Sequence, residues 1–494
     1  MVTLADLGLA GQSAFQTEIT GITLDSREVM PGFLFGAMPG SNVHGAEFAQ
    51  KAVENGAAAI LTDRAGEALA REAAEGTNTV VVLTEGPRQA LSRAAALFFG
   101  PQPETAVAVT GTNGKTSVST FCRQIWGELD LAAVNLGTTG VEGVWSHPLR
   151  HTTPDPITLQ RVLAEAAKNG VTHVAMEASS HGLDQKRLDG VVLSAAGFTN
   201  FTQDHLDYHK TFEAYFDAKM GLFTRVLPPE AVAVINLDDP KGVDVMEICE
   251  MRGLEILGVG RGPMARLQLL SQRFDATGQD LRFSWQGKTH LTRLSLIGGF
   301  QAENVMLAAG LVIGAGADPD DVFDVLPHLT TVRGRMQLAA TRDNGAAVYV
   351  DYAHTPDAVE TALQAIRPHV IGRIIAIVGA GGDRDTTKRP LMGQAAAENA
   401  DVVIITDDNP RSEDPATIRD AVLQGALSVR SNDIHNIGDR AEAILRAVDM
   451  LEPGDALLVA GKGHETGQII GTDILDFDDV EVASQCVLAL DGKI

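Results

Sequence analysis

The sequence predicts an α/β protein of three domains. Short β-branched apolar runs of strand length recur along the chain. Glycine-bearing turns follow them, and Ala-rich stretches of helical length separate them. At roughly 100–200 residues per domain, 494 residues make three domains the first expectation.

The elements can be taken in order. The first part offers strands at Phe33–Gly36, Ala58–Thr62 and Thr79–Leu83. The middle offers Ala106–Thr110, His173–Glu177, Ala196–Thr199 and Val232–Asn236, with a helix at Ser117–Leu129. The last part offers Ala347–Asp351, Ile374–Val378, Val402–Thr406 and Ala456–Ala460. Several runs are apolar throughout, as strands of a parallel sheet covered on both faces are. Gly100-Pro101-Gln102-Pro103 reads as a linker, and a second break is expected near Thr330–Val332. Polarity alternates in shorter periods over 262–297, which predicts an antiparallel insertion.

Charge and cysteine usage narrow the function. Thirty-nine Lys and Arg against 64 Asp and Glu leave a net charge of −25. Such a surface argues against nonspecific nucleic-acid binding or docking on anionic lipid, but leaves small anionic substrates open if positive potential is local. Cys122, Cys249 and Cys486 are scattered with no CxxC spacing, so neither a disulfide framework nor a structural zinc site is expected. The start lacks a basic n-region, and no uncharged apolar run reaches the roughly 18 residues of a membrane span. A soluble cytoplasmic protein is the expectation.

The strongest chemical signal follows the first middle strand. Gly111-Thr112-Asn113-Gly114-Lys115-Thr116 leads into Ser117 and the helix. A glycine-rich turn lets backbone N–H groups converge on phosphate oxygens, and the helix N-terminus adds partial positive charge. Lys115 can reach the β/γ-phosphates and Thr116 can hold Mg²⁺. Val109 stands where the longer form of the motif has glycine, so this is a variant P-loop for ATP. Glu177, at another strand end, is suited to complete a Mg²⁺ shell with Thr116. Further on, Thr199–His209 is dense in His and Asp and includes His205; Phe216-Asp217-Ala218-Lys219 follows. That density admits either a metal or a phosphate role.

Taken together, Thr110–Thr116, Met176–His181, Thr199–Tyr208 and Asp351-Tyr352-Ala353-His354-Thr355-Pro356 resemble the Mur ligase family of ATP-dependent amide-bond-forming enzymes. The likeness runs along the whole chain. It implies an N-terminal α/β domain (1–100) for the UDP end of the substrate and a central P-loop ATPase domain (101–331) with a mostly parallel sheet. It also implies a C-terminal Rossmann-like domain (332–494) for the incoming amino acid. The substrates implied are ATP, UDP-MurNAc-L-Ala-D-Glu and an amino acid, handled by a monomer. The D-Glu carboxylate takes the γ-phosphoryl group, and the amine displaces phosphate from the acyl phosphate.

The same resemblance assigns residues. Leu24, Ser26, Ser41, Asn42, Val43, His151, Thr152, Thr153, Ser179, Gln185 and Arg187 map to the UDP-muramoyl-dipeptide; Asn304, Arg335, Asp351 and His354 map to ATP. Lys115, Glu177, His205 and Lys219 map to the catalytic centre. Lys219 matches a lysine that CO₂ converts to a carbamate (N6-carboxylysine), an anion able to help hold a second metal with His205.

His151-Thr152-Thr153-Pro154, Gly379–Pro390, Asp408-Asn409-Pro410-Arg411 and Gly461-Lys462-Gly463-His464-Glu465 point to the meso-2,6-diaminopimelate-adding branch. Diaminopimelate is lysine with a second amino-acid head group. A site choosing it needs a cation for the extra carboxylate and oxygen acceptors for the extra ammonium. Arg411 offers a planar fork, Arg384 a further cation, and Glu465 with the Gly461 carbonyl the acceptors. Lysine-adding relatives lack this arginine, and a buried Arg411 left unpaired would oppose lysine. The alternatives are a lysine-adding ligase of the family, a folylpolyglutamate synthase-like ligase, or a noncatalytic ATP-dependent switch. The last would need neither Lys219 nor an amino-acid pocket.

Overall fold

The computed structural model describes residues 2–9, 15–40, 43–202 and 206–493, and folds them into three α/β domains. A two-stranded ribbon, β1 (Val2–Thr3) and β2 (Glu18–Ile19), precedes a four-stranded parallel sheet. Its strands are β3 (Gly21–Thr23), β4 (Phe33–Gly36), β5 (Ala59–Thr62) and β6 (Val80–Leu83), in sequential order.

The central domain is built on β7 (Thr105–Thr110), β8 (Ala133–Gly137), β9 (Gly140–Gly143), β10 (His173–Glu177), β11 (Ala195–Phe198), β12 (Val232–Asn236) and β13 (Glu255–Gly260). The meander β14 (Leu267–Asp275), β15 (Gly278–Trp285) and β16 (Lys288–Leu294) extends the same sheet, giving the order 16-15-14-13-12-11-7-10-8-9. The antiparallel stretch predicted over 262–297 is therefore an edge of the central sheet: β14 pairs parallel with β13 before the meander turns antiparallel.

Strand β7 occupies the middle for a simple reason. Its alternate residues are apolar on both faces. Val107 and Val109 pack with Val118, Phe121 and Ile125, while Ala106 and Ala108 face the opposite core. Its neighbours are β10 and β11, in registers that put Glu177 beside Val109 and Phe198 beside Thr110. The chain thus leaves β7 for one side and later returns to the other, which opens a crevice at the carboxyl end. The following helix runs Lys115–Glu128, beginning two residues earlier than predicted. Strands β11 and β20 (Val402–Ile405) each end one residue short of Thr199 and Thr406, which leaves those threonines in the functional loops.

The C-terminal sheet has β17 (Gln337–Thr341), β18 (Ala347–Asp351), β19 (Ile374–Val378), β20, β21 (Ile434–Asn436) and β22 (Ala456–Ala460) in the order 17-18-22-19-20-21. Only β17 is antiparallel to its neighbour. A hairpin, β23 (Gly467–Ile470) and β24 (Asp473–Asp476), stands beside it. No helix among the described residues is long and apolar enough to cross a membrane.

One histidine pins the C-terminal domain to the central one. Buried His369 accepts the Gly298 N–H at Nε2 (3.1 Å), while its Nδ1–H donates to the Asp275 carbonyl (2.6 Å). Both nitrogens are used only in the neutral ring, and burial lowers its pKa. The folded state therefore binds fewer protons than the unfolded one below the ordinary histidine value of about 6.5, so stability is lost as pH falls through that range. Calorimetric Tm should drop more steeply between neutral and acid pH in the native protein than in His369→Leu. That variant should already be weakened at neutral pH by about 1–3 kcal/mol.

Candidate active site

The P-loop has its shape because two glycines allow it and a neighbouring loop holds it. Gly111 (φ +146°) lies so near the loop after β11 that a Cβ there would fall 1.8 Å from Thr199 Oγ1. Gly114 (φ +86°) sits at the helix start, where a Cβ would be 2.6 Å from Asn304 Oδ1. The two loops are laced together. Thr112 N–H donates to the Asn200 carbonyl (2.9 Å) and Asn113 N–H to Asn200 Oδ1 (2.9 Å), while the Thr199 hydroxyl donates to the Asn113 carbonyl (2.6 Å). Thr199, Asn200 and Thr202 thus brace the P-loop. His205 lies outside the described residues, as do Ser41 and Asn42.

Two lysine amines meet at this loop. Lys115 Nζ donates to the carbonyls of Gly111 (2.9 Å) and Thr112 (2.8 Å), and Lys219 Nζ donates to the same Gly111 carbonyl (2.6 Å). Lys219 is buried, with its amine 4.5 Å from the centre of the Tyr215 ring. The two amines converge on one oxygen, and a carbamate at Lys219 would stand beside the Lys115 amine as an anion. The residues present therefore fit the modification.

Glu177 ends β10, buried. Its Oε1 accepts the Thr138 N–H (2.8 Å) and its Oε2 the Thr138 hydroxyl (3.3 Å). Only glycine suits position 137, because a Cβ there would lie 2.0 Å from Glu177 Oε1. Thr152 Oγ1 is 3.0 Å from Thr138 Oγ1. Thr153 is buried: its hydroxyl donates to the Glu177 carbonyl (2.8 Å) and accepts the Ser179 N–H (3.0 Å), so it braces the strand end. Thr116 and Glu177 share one cavity wall and supply the hard oxygen donors that Mg²⁺ takes. Among the described residues no three His, Cys, Asp or Glu side chains form a metal cluster.

That cavity, about 470 Å³, has two walls from different domains. The central domain gives Thr112–Ser117, Thr152, Glu177, Ser179, Lys219 and Asn304; the C-terminal domain gives Arg335, Asp351 and His354. Arg335 spans them, with its guanidinium 4.4 Å over the Tyr352 ring and its Nη2 donating to Thr116 Oγ1 (3.3 Å). Asp357 is a second bridge: its Oδ2 accepts from Asn113 Nδ2 (3.2 Å) and the Thr202 hydroxyl (3.2 Å). Asp351 accepts the N–H groups of Met336 (2.6 Å) and Ala353 (2.9 Å), and burial raises its pKa.

Arg187 is held beside this cavity by Gln185 Oε1 (Nη2, 2.7 Å) and by the Thr153 carbonyl, and Gln185 in turn donates to the Tyr208 hydroxyl (3.2 Å). His151 stands exposed, off the cavity wall. Leu24 and Val43 are exposed and Ser26 is buried, all in the N-terminal domain.

A second cluster caps the C-terminal sheet. The loops after β19, β20 and β22 bring Arg384, Asp408–Arg411, Gly461 and Glu465 to one rim. Asn409 Nδ2 donates to Glu465 Oε2 (2.8 Å), and Arg411 Nη1 to the Gly382 carbonyl (2.7 Å). Arg384 is exposed, and its guanidinium donates to the Asp383 carbonyl (3.2 Å). Gly461 follows β22 with φ +117°, a conformation that favours glycine, and a Cβ there would lie 2.6 Å from Asp408 Oδ2. Beneath the rim, Arg440 and Asp479 form a fully buried two-armed ion pair (2.6 and 2.7 Å), and Arg440 also reaches the Ala460 carbonyl (3.0 Å). His464, part of the same loop, packs 5.0 Å from Tyr352. Burial, then Arg335 and Arg333, push its pKa down to about 4.

Sequence reasoning missed Thr138, Asp357, Lys462 and the Arg440–Asp479 pair. Each works through a partner distant in sequence, and a position-by-position motif carries no sign of that.

Three family models match in chain order. "Mur ligase family, catalytic domain" covers 18–99, "Mur ligase middle domain" 109–312, and "Mur ligase, glutamate ligase domain" 334–463. A relative from Bradyrhizobium diazoefficiens, named UDP-N-acetylmuramoyl-L-alanyl-D-glutamate–2,6-diaminopimelate ligase, is 49% identical over 475 residues, 94% of each chain. One of the same name from Caulobacter vibrioides is 49% identical over 483 residues, 96% of each. A solved structure of an enzyme with that name matches at a TM-score of 0.72 and 33% identity, covering 99% of both chains.

The Gly137–Glu177 contact makes a sharp test. Gly137→Ala should displace the carboxylate and cut Mg²⁺-dependent ATP turnover by at least about a hundredfold, as loss of a centre that stabilises developing charge does. ADP affinity, read by calorimetry, should change little.

Proposed function

The chain belongs to the Mur ligase family of ATP-dependent amide-bond-forming enzymes, and we propose that it joins meso-2,6-diaminopimelate to UDP-MurNAc-L-Ala-D-Glu. The observation that carries this reading is the rim of Arg411, Asn409 and Glu465 standing beyond a phosphate cavity, in a chain 49% identical to ligases of that name. Division of the chain at 1–100, 101–331 and 332–494 agrees with the proline-bearing loop after Gly100 and with the crossing at Arg333–Arg335. A monomer is part of this proposal, and a cytoplasmic location fits the nucleotide substrates.

The chemistry follows from the groups. A carboxylate acylates poorly because its oxide leaves badly, and phosphorylation supplies a leaving group. The D-Glu carboxylate would attack the γ-phosphorus of ATP, expelling ADP and forming an acyl phosphate. The diaminopimelate amine would then attack the acyl carbon, and phosphate would leave with the tetrahedral intermediate's collapse. Two anions must approach for the first step. Lys115, the P-loop N–H groups and the start of helix Lys115–Glu128 lower that repulsion. Mg²⁺, held by Thr116 and Glu177, would neutralise phosphate charge. A carbamate on Lys219, with His205, would supply the anionic ligand for a second cation.

Arg187 would orient the dipeptide carboxylate from below, and Ser179 and Thr152 would line its path. Arg335 would touch the phosphates once the C-terminal domain is seated, while Asn304, Asp351 and His354 would border the nucleotide. Water must be kept from the acyl phosphate, and that need gives the meeting of two domains over one cavity a reason. At the far rim, Arg411 and Arg384 would receive the distal carboxylate of diaminopimelate, with Glu465 and the Gly461 carbonyl taking its ammonium.

Phosphate release should require ATP, the dipeptide nucleotide and diaminopimelate together; equal turnover with lysine would refute the choice of amino acid. Arg411→Ala removes a charge-assisted contact, so KM for diaminopimelate should rise about ten- to hundredfold with the KM for ATP unchanged. Lys219→Ala should lower kcat by orders of magnitude while ADP binding persists.

A further inference from the structure

We propose that Lys462 is the positioning residue of the amino-acid pocket, acting through Glu465, Asn409 and the hairpin that holds Arg411. The proposal rests on the reading of this rim as the diaminopimelate site. Lys462 has no solvent exposure, so it cannot itself be a surface contact for a ligand. Its ammonium donates to three acceptors: Asn409 Oδ1 (3.3 Å), Glu465 Oε2 (3.3 Å) and the Gly467 carbonyl (2.5 Å). Three acceptors match the three N–H bonds of an ammonium, as a buried charge requires.

Each acceptor leads to a different part of the pocket. Glu465 receives both Lys462 and Asn409 on Oε2, which leaves Oε1 for a ligand ammonium. Asn409 is oriented from both ends, because its Oδ1 also accepts the Ile469 N–H (2.9 Å). Gly467 opens β23, and this strand lies along the Asp408–Arg411 loop. Arg411 N–H donates to the Ile469 carbonyl (3.0 Å), Gly471 N–H to the Arg411 carbonyl (2.7 Å), and Gln468 Nε2 to the Asp408 carbonyl (2.7 Å).

Those bonds matter because Arg411 has left-handed backbone, φ +51°, which a side chain with a Cβ disfavours. Something must hold it, and the hairpin pairs with both its N–H and its carbonyl. A single buried amine therefore fixes the acceptor for the ligand's ammonium and anchors the strand that aims the cation for its carboxylate. Recognition of the distal head group needs both at once. A methionine of similar length would fill the space and make none of the three bonds.

The test uses the full chain and steady-state phosphate release, titrating each substrate in turn. Lys462→Met should raise KM for diaminopimelate at least about tenfold, the scale of a lost charged hydrogen bond, with KM for ATP and for the dipeptide nucleotide within about twofold. Combined with Glu465→Gln it should add little to that variant's own KM, because the two act in series. If Glu465→Gln leaves the diaminopimelate KM unchanged, the pocket reading itself fails and the proposal falls with it. If Glu465→Gln raises it but Lys462→Met does not, or the effects multiply, or KM for ATP rises in parallel, the positioning role alone is overturned. Should Lys462→Met not fold, the half-buried Gln468→Ala loosens the same hairpin from its outer side. It should raise only the diaminopimelate KM, by about two- to fivefold, and an unchanged value overturns the proposal.

Discussion

Two mostly parallel sheets turn their carboxyl ends toward one another, and the rest of the molecule depends on their staying so. Arg335 carries much of that constraint. It stacks on Tyr352 in its own domain and reaches Thr116 Oγ1 in the other, where Asp357 adds bonds to Asn113 and Thr202. Gly334 lets the chain pass close enough, because a Cβ there would lie 2.2 Å from the His464 nitrogen. The crossing between domains therefore touches the phosphate loop on one side and the amino-acid rim on the other. His369 pins the far edge of the same boundary.

The acidic chain and its anionic substrates are reconciled by where the cations stand. At −25 the surface repels anions on average, yet Lys115, Lys219 and Arg335 line one cavity, Arg187 is tied to the Thr153 carbonyl next to its wall residue Thr152, and Arg384 and Arg411 stand in loops that cap the C-terminal sheet. Most other arginines are tied to carboxylates, as in Arg389–Glu413 and Arg373–Asp455. The buried Arg440–Asp479 pair has a different task. Burying two charges costs desolvation energy, so its value lies in geometry: it clamps the end of β22 under the loops that make the rim.

The sequence made the P-loop legible because its information is local. A strand, two glycines, Lys115, Thr116 and a helix occupy consecutive positions, and the physics of phosphate binding acts on that span alone. Most core strands were readable for a similar reason, since apolar runs of strand length announce burial on both faces. What stayed hidden depends on partners brought together by folding. The fitness of Gly137 depends on a carboxylate forty residues later, at Glu177, and Asp357 matters only because it faces Asn113 across a domain boundary. The edge meander was readable as antiparallel, but its membership of the central sheet was decided by pairing between β13 and β14. Lys462 stood inside a motif of the C-terminal domain with no role of its own, and only its burial and its bonds to Asn409 and Glu465 suggest one.

The arrangement separates activation from selection. Phosphoryl transfer needs dense positive charge and exclusion of water, and the groups proposed for it stand at the ends of β7, β10 and β11, in loops laced together by hydrogen bonds. Discrimination between amines needs a planar cation and an oxygen acceptor held at a fixed spacing. In the proposed reading it falls to the loops after β19, β20 and β22 of the other sheet, where a hairpin pairs with the left-handed backbone of Arg411. The two meet only at the boundary spanned by Arg335 and Tyr352, against which His464 packs. None of the rim side chains on those three loops lines the phosphate cavity, so the groups proposed for selection and for activation share only that boundary.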